Sequence, residues 1–347
     1  MKTARASRPG AGEINGPRMH GCRIPAPARP WNATWHDQGA TRHDQGITRL
    51  ASRGTVQKSR RPSAPIWNVE PSPCIRGGTR MYLENIIKTL QSLSPPWLTL
   101  QGDDGPGLVF GRKTSISSII IRKAVVSVDP TIECIDEAIA SKANLIISHH
   151  PLFHDAFLEI RELSFEKTRL LTTHNVWVYN TGDSWNHASQ GITESICQAL
   201  RLEFKEAFVL QGRGSRGDEI PVGRVVDLHG SKTFGAITDQ AKAILGRAVI
   251  TCKGDPGRLH ERALVIGGMV DYIQPVTRML EDGIDLFIAG ELSGQLMTTL
   301  IDLGIDFMSL SHHETDLLGM SKLKGLLSLK HPNVTFMLHA GNPLRHV

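Results

Sequence analysis

From Met81 onward, short runs rich in β-branched residues alternate with longer stretches of amphipathic spacing, and this alternation limits the chain to an α/β fold. The β-rich runs lie near 118–128, 144–148, 176–180, 223–228, 247–252, 263–267, 284–289, 305–310 and 333–338. Helical spacing fills most of the intervals, near 132–141, 165–173, 192–202, 233–245, 272–282, 294–303 and 315–329. A further helix opens the series. Leu83, Ile86, Ile87 and Leu90 form one stripe over 82–93, and Ser94-Pro95-Pro96 ends it.

Two stretches of this series match each other. Ile135 to His150 aligns with Val276 to Glu291 at an offset of 141 residues, helix on helix and strand on strand. In each half another helix then leads to a further strand, Val176 to Thr181 and Ile305 to Leu310. The chain therefore reads as two related α/β lobes, about 81–203 and 263–347, with a middle segment at 204–262. The four corresponding strand ends carry polar clusters: His149-His150, Asp183-Ser184-Trp185-Asn186, Gly290-Glu291 and Ser311-His312-His313-Glu314. Ligands of open α/β sheets sit beyond the carboxyl ends of strands, which is where all four clusters fall.

The net charge of +5 is unevenly divided. Residues 1–80 hold 12 Arg and 2 Lys against Glu13, Asp37, Asp44 and Glu70, a balance of +10, which leaves 25 basic and 30 acidic residues, or −5, in 81–347. This leader also holds 9 of the 19 prolines and no sustained period of 2 or 3.6, so it is expected to be disordered. Three readings of it stay open: an inert tail ahead of a true start at Met81, a targeting segment, or an electrostatic arm for nucleic acid. Frequent Pro and Gly weigh against the amphipathic helix of a transit peptide. A tandem duplication, His36 to Arg42 and His43 to Arg49, is too short for a repeat architecture. Apolar runs such as Leu145 to Ile147 and Leu286 to Ala289 fall far below the roughly 20 residues of a membrane-spanning helix. Five cysteines without CxxC spacing indicate neither a disulfide framework nor a thiolate zinc site, so a reducing, cytoplasmic location is expected. For Cys134, Cys197 and Cys252, inside predicted elements, buried packing is the expectation.

The histidine clusters are the strongest chemical signal. His149 and His150 follow a strand, and Pro151 forces His150 into an extended conformation, so both rings can enter one cavity where the chain turns. Imidazole is the commonest ligand for transition metals, although a lone His pair also suits an ordinary loop. His312 and Asp316 are spaced i, i+4 and share a face if a helix starts here. Ser311 and Glu314 have capping-box spacing, which puts that start at Ser311 and gives Glu314 a structural role. The alternative is a capped, solvated helix start. Two histidine clusters ending strands in repeat-related halves favour a metal site. Gly212 to Gly217 spells GxGxxG, but Asp218 to Pro221 follows where a helix should open, so it reads as a loop.

Six blocks in order carry a family resemblance: Gly105 to Gly111, Val128 to Thr131, Leu145 to Phe153, Asp183 to His187 with Gly191 to Glu194, Asp285 to Glu291, and Ser311 to Asp316. Together they resemble the Ngg-interacting-factor-like proteins, which have a dinuclear metal centre and are often named GTP cyclohydrolase I type 2 homologs. The resemblance covers about residues 82–330. It implies two α/β lobes around a central cavity holding one or two divalent metal ions, iron, zinc or manganese, and assembly into a toroidal homo-hexamer. It implies ligation by His149, His150, His312 and Asp316, the last standing where the family has a glutamate. The family's His-Asp-Ser-Trp-Asp block stands here as Gly182-Asp183-Ser184-Trp185-Asn186. Asn186 brings a neutral carboxamide to that position, and Asp183 and Glu291 are the carboxylates that would have to move inward to replace its charge. The implied activity is metal-dependent, cyclohydrolase-like hydrolysis of a small nucleotide-like substrate, with no catalytic residue assigned. The alternatives are a non-catalytic metal-binding or protein-interacting ring with a partly decayed site, and nucleic-acid binding through the basic leader alone. No membrane partner is implied.

Overall fold

The computed structural model describes residues 80–103, 105–153, 162–214, 217–228, 232–246 and 249–341. The leader reading therefore lies outside the described residues, except for Arg80. The strands are β1 (Gly107–Phe110), β2 (Lys123–Ser127), β3 (Leu145–Ser148), β4 (Trp177–Asn180), β5 (Phe204–Leu210), β6 (Ile220–Asp227), β7 (Thr251–Lys253), β8 (Arg262–Val270), β9 (Leu286–Leu292), β10 (Asp306–Ser309) and β11 (Thr335–His339). The helices are α1 (Leu83–Leu93), α2 (Ile132–Ser141), α3 (Glu162–Thr173), α4 (Ser184–His187), α5 (Ile192–Ala199), α6 (Phe234–Leu245), α7 (Gln274–Glu281), α8 (Gly294–Asp302) and α9 (His312–Lys330). None of the described helices is long and apolar enough to cross a membrane.

The strands form two sheets, ordered β1-β4-β3-β2-β11 and β5-β6-β8-β9-β10-β7. Each contains the same unit. In the first, β2, β3 and β4 run parallel through the crossover helices α2 and α3, and β1, which precedes them, closes the edge antiparallel to β4. In the second, β8, β9 and β10 run parallel through α7 and α8, and β7 closes the edge antiparallel to β10. Leu145 of β3 and Leu286 of β9, related by the offset of 141, each pair with an alanine of the parallel strand that precedes them in the unit, Ala124 of β2 and Ala263 of β8. Internal similarity in the sequence thus corresponds to duplicated topology.

Both faces of each sheet are covered, which is why the central strands read as continuous apolar runs. Ala124, Val126, Leu145, Ile147 and Tyr179 face the same core as Val226, Val265, Ile288 and Met308 of the second sheet, with residues of α1, α5, α6 and α9 in that core. The alternate residues Val125, Ile146 and Val178 face α2 and α3. In the second sheet Leu264, Ile266, Phe287 and Ala289 face α7 and α8. Burying each such side chain contributes roughly 1.5–3 kcal/mol, so α9, with Met320, Leu323 and Leu327 fully buried, is held tightly to both sheets.

Local differences from the sequence pattern have local causes. The run near 118–128 yields only β2, because its first part joins the opening helix: Leu83 N bonds Ile119 O at 2.8 Å and Ile121 N bonds Met81 O at 2.8 Å. β1 is four residues with a glycine, too short to show a period, and β5 carries Lys205 and Glu206 on an exposed edge. The strands of 204–262 belong to the second sheet and β11 to the first, so sheet membership does not follow the sequence limits of the lobes. Gly212 to Gly217 lies in the connection between the antiparallel strands β5 and β6, where Gly212 and Gly217 take φ of +66° and +80°. Cys134 and Cys197 are buried as expected, whereas Cys252 is exposed on the edge strand β7.

Candidate metal centre

The first lobe supplies a histidine pair where its central strand ends. β3 stops at Ser148, and the His149 N–H then bonds the carbonyls of Ser127 and Val128, each at 3.1 Å, while the His150 N–H bonds Val128 O at 3.0 Å. The backbone is turned here, so successive side chains no longer point to opposite faces. The rings stand 4.8 Å apart between centroids. From the second lobe, β10 ends at Ser309 and α9 begins at His312, with Ser311 as its N-cap. The Ser311 hydroxyl donates to the Glu314 carboxylate and makes no cap hydrogen bond to the backbone, so the Ser311 cap expected from the capping-box spacing does not form. One turn on, Asp316 occupies the same buried stripe as Gly319, Met320, Leu323 and Leu327. A carboxylate therefore stands at what is otherwise a core position.

Three imidazoles converge on that carboxylate. Asp316 Oδ2 lies 3.2 Å from His312 Nε2, 3.4 Å from His150 Nε2 and 3.9 Å from His149 Nε2. Asp316 is fully buried and His149 is 1% exposed, while His150 and His312 reach solvent in part. Among the described residues neither Asp316 oxygen has a hydrogen-bond partner, an expensive condition for a buried carboxylate. The donor atoms of His149, His150 and Asp316 all lie within 4.8 Å of one another. Ligand atoms each about 2.1 Å from one ion stand roughly 3.0–3.5 Å apart, as the 3.2 and 3.4 Å contacts of Asp316 with His312 and His150 do, while His149 at 3.9 Å stands somewhat further out. Imidazole nitrogen with carboxylate oxygen is a donor set for iron, zinc or manganese. The residues thus fit a divalent metal.

Burial and charge pull the group in opposite directions. Burial holds the His149 imidazole down to about 4, against the attraction of Asp316. For His150, burial is outweighed by the hydrogen bond to Asp129 and the attraction of the nearby Asp316 carboxylate, which raise it to about 10. Burial would raise the Asp316 carboxyl, but His149, His150 and His312 bring it below its ordinary value. Asp129 is held well below the carboxylate range by its hydrogen bonds to His150 and His313.

Of the other residues singled out in sequence, Glu291 reaches the cluster's rim: its Oε2 accepts from His312 Nδ1 at 3.0 Å. Asn186 is buried, donates from Nδ2 to Asp183 Oδ1 at 3.0 Å, and leaves its Oδ1 without a partner. Asp183 and Asn186 thus bond to each other across the start of the short helix α4. Sequence reasoning gave no role to Asp129, which accepts from His150 Nδ1 at 2.7 Å. Its signal was its place two residues beyond β2, next to Pro130, inside one of the motif blocks. A cleft of about 560 Å³ opens beside the cluster, lined by Asp129, Thr131, Glu291, His312, His313 and His339 among others.

The family model of Duf34/NIF3 (NGG1p interacting factor 3) matches residues 81–343, spanning both lobes and every residue of the histidine–carboxylate cluster. The chain belongs to the Duf34/NIF3 family. A GTP cyclohydrolase 1 type 2 homolog of Clostridium acetobutylicum is 23% identical over 271 residues, 76% of this chain and 97% of that one. A second protein of that name, from Methanocaldococcus jannaschii, is 21% identical over 248 residues, 72% of this chain and 95% of its own. The crystal structure of a Bacillus cereus protein related to NIF3 superposes with a TM-score of 0.66 at 16% identity, covering 78% of this chain and 100% of the other. That last likeness is one of fold. In this Duf34/NIF3 chain, His149, His150, His312 and Asp316 come together, while the Asp183–Asn186 pair is engaged with itself.

Proposed function

We propose that this Duf34/NIF3 protein binds a divalent transition metal through His149, His150, His312 and Asp316 and acts as a metal-dependent hydrolase on a small, nucleotide-like substrate. The observation that carries the reading is the buried, unpartnered Asp316 carboxylate facing three imidazole Nε2 atoms. A divalent ion held there supplies Lewis-acid polarisation and water activation. Asp316 offsets its charge, His149 closes the buried side of the site, and the partly exposed His150 and His312 face the solvent side. The cleft of about 560 Å³ is within the size range of small-molecule sites and suits a substrate of nucleoside size. The relatives' name supports a cyclohydrolase-like reaction, hydrolytic opening of an activated ring, as the candidate class. A closed homo-hexamer is the assembly proposed with it.

The second reading, a non-catalytic metal-binding or protein-interacting ring, is favoured by Asn186. Where the family pattern has an aspartate, its carboxamide is tied to Asp183, which leaves Asp316 as the anion of the cluster and argues for one ion over two. Elemental analysis of protein purified without added metal separates the outcomes. At least one iron, zinc or manganese per chain is expected, and a preparation with none that takes up none on reconstitution overturns the metal reading.

A further inference from the structure

We infer that Asp129 and Glu291 are positioning residues that aim two of the proposed ligands, His150 and His312, from outside the ligand set; the inference rests on the metal reading above. An imidazole can turn either nitrogen toward an ion, and what decides is the partner of the other nitrogen. His150 donates from Nδ1 to Asp129 Oδ1 at 2.7 Å, which leaves Nε2 facing Asp316 at 3.4 Å. His312 donates from Nδ1 to Glu291 Oε2 at 3.0 Å, which leaves its Nε2 facing Asp316 at 3.2 Å. The same device thus appears in both lobes, each carboxylate standing at or just beyond a parallel strand, β2 or β9.

The two supports differ in stiffness. Asp129 is held on its far side as well: its Oδ2 lies 3.5 Å from His313 Nδ1, and His313 Nε2 donates to Ala340 O at 3.1 Å, just past β11. A chain of contacts therefore runs from the neighbouring strand through His313 and Asp129 to His150. Glu291 is 47% exposed, and among the described residues its side chain bonds only to His312. Among the described residues no carboxylate bonds His149 Nδ1, which faces the Thr181 hydroxyl at 3.5 Å, and complete burial holds the ring. Loss of Asp129 should therefore cost more than loss of Glu291.

The test uses the full chain with zinc ion as probe, titrated against a chromophoric chelator. Asp129→Ala is expected to weaken zinc binding about 10–100-fold and Glu291→Ala by less, with Asp129→Asn and Glu291→Gln between these and the parent because they keep an acceptor. The second readout is histidine-selective 15N solid-state spectra of the metal-free protein, assigned through His150→Gln and His312→Gln. Asp129→Ala should lose the hydrogen-bonded Nδ1–H of His150 and keep that of His312, and Glu291→Ala should do the reverse. Weakened zinc binding with both ring signals unchanged would mean that the carboxylates act by charge alone, and the positioning role would fall. Parent-like zinc binding in both alanine variants would overturn it too. If the parent itself takes up no zinc, the metal reading fails, and the ring signals still decide whether the carboxylates aim the rings.

Discussion

Asn186 and Gly182 are the two positions at which the Gly182 to Asn186 block differs from the His-Asp-Ser-Trp-Asp pattern it resembles, and the surroundings of Asn186 define what a change there would do. Gly268, at φ +73°, lies so close that a Cβ on it would fall 2.7 Å from Asn186 Nδ2, so the carboxamide fills a slot that only glycine leaves open. Asn186→Asp would set a second carboxylate against Asp183, from which the Asn186 amide now stands 3.0 Å away. Repulsion between the two should lower the melting temperature of the metal-free variant, and a bound divalent ion should restore it. Metal titration is expected to show higher stoichiometry or affinity for Asn186→Asp, and lower affinity for His149→Ala and His312→Ala, which remove ligands from opposite lobes. Unchanged binding by Asn186→Asp, with both histidine changes abolishing it, would place Asn186 outside the site. His331 serves as the control. It caps the end of α9 and bonds Thr89 Oγ1 through Nε2 at 2.8 Å, so His331→Ala should cost about 1 kcal/mol of stability while leaving metal affinity alone.

At the scale of elements, α9 connects the site to the core. Asp316 sits near its amino end, and Gly319, one turn on, lets α5 approach so closely that a Cβ there would fall 2.3 Å from Ile192 Cγ1 and 2.9 Å from the Ile192 backbone. The Gly319 carbonyl also accepts from Trp185 Nε1 at 3.2 Å, which ties α4 to the same turn. Alanine in a helix interior is ordinarily better than glycine by about 1 kcal/mol. Overpacking against a fixed backbone costs roughly 1–3 kcal/mol, so the clash wins at this position. Gly319→Ala should therefore destabilise the protein. Gly325→Ala, six residues along the same helix with nothing within 4 Å of its Cβ, should stabilise it by up to about 1 kcal/mol. Urea unfolding of the two variants beside the parent checks the pair, and shifts of the same sign would show that the α5–α9 approach is not under this constraint.

For the molecule as a whole, the duplicated unit puts two mixed sheets on either side of a shared core that includes α1, α5, α6 and α9, with the cluster built from strand ends of both. Large apolar side chains are left at the surface, among them Leu329 at 77%, Val249 at 65% and Phe165 at 59% exposed. Exposed apolar side chains of this kind would be covered if copies of the chain associate, and homo-oligomers of globular proteins close by symmetry. Residues 81–347, which carry the −5 charge and the family match, are expected to form the same closed oligomer as residues 1–347. Light scattering on the two proteins measures this. A monomeric 81–347 at micromolar concentration would show that the leader takes part in assembly or that the hexamer proposal is wrong.

What could be read from the sequence was whatever repeats along the chain. The α/β alternation, the matched halves and the helices α2, α6 and α8 follow from local pattern, because a helix packed on a sheet buries every third or fourth residue and a strand covered on both faces reads as a short continuous apolar run. The histidine pair and the i, i+4 spacing of His312 and Asp316 were legible for the same reason, being adjacent or one turn apart. The sequence did not reveal which strands share a sheet, since pairing joins residues hundreds apart, as in β11 against β2. The roles of Asp129 and Glu291 were equally hidden, because each lies about 21 residues from the histidine it supports and meets it only through the crossing of loop and strand ends. Tertiary structure decided those contacts: a hydrogen bond depends on distances of about 3 Å in space, and separation along the chain says little about them.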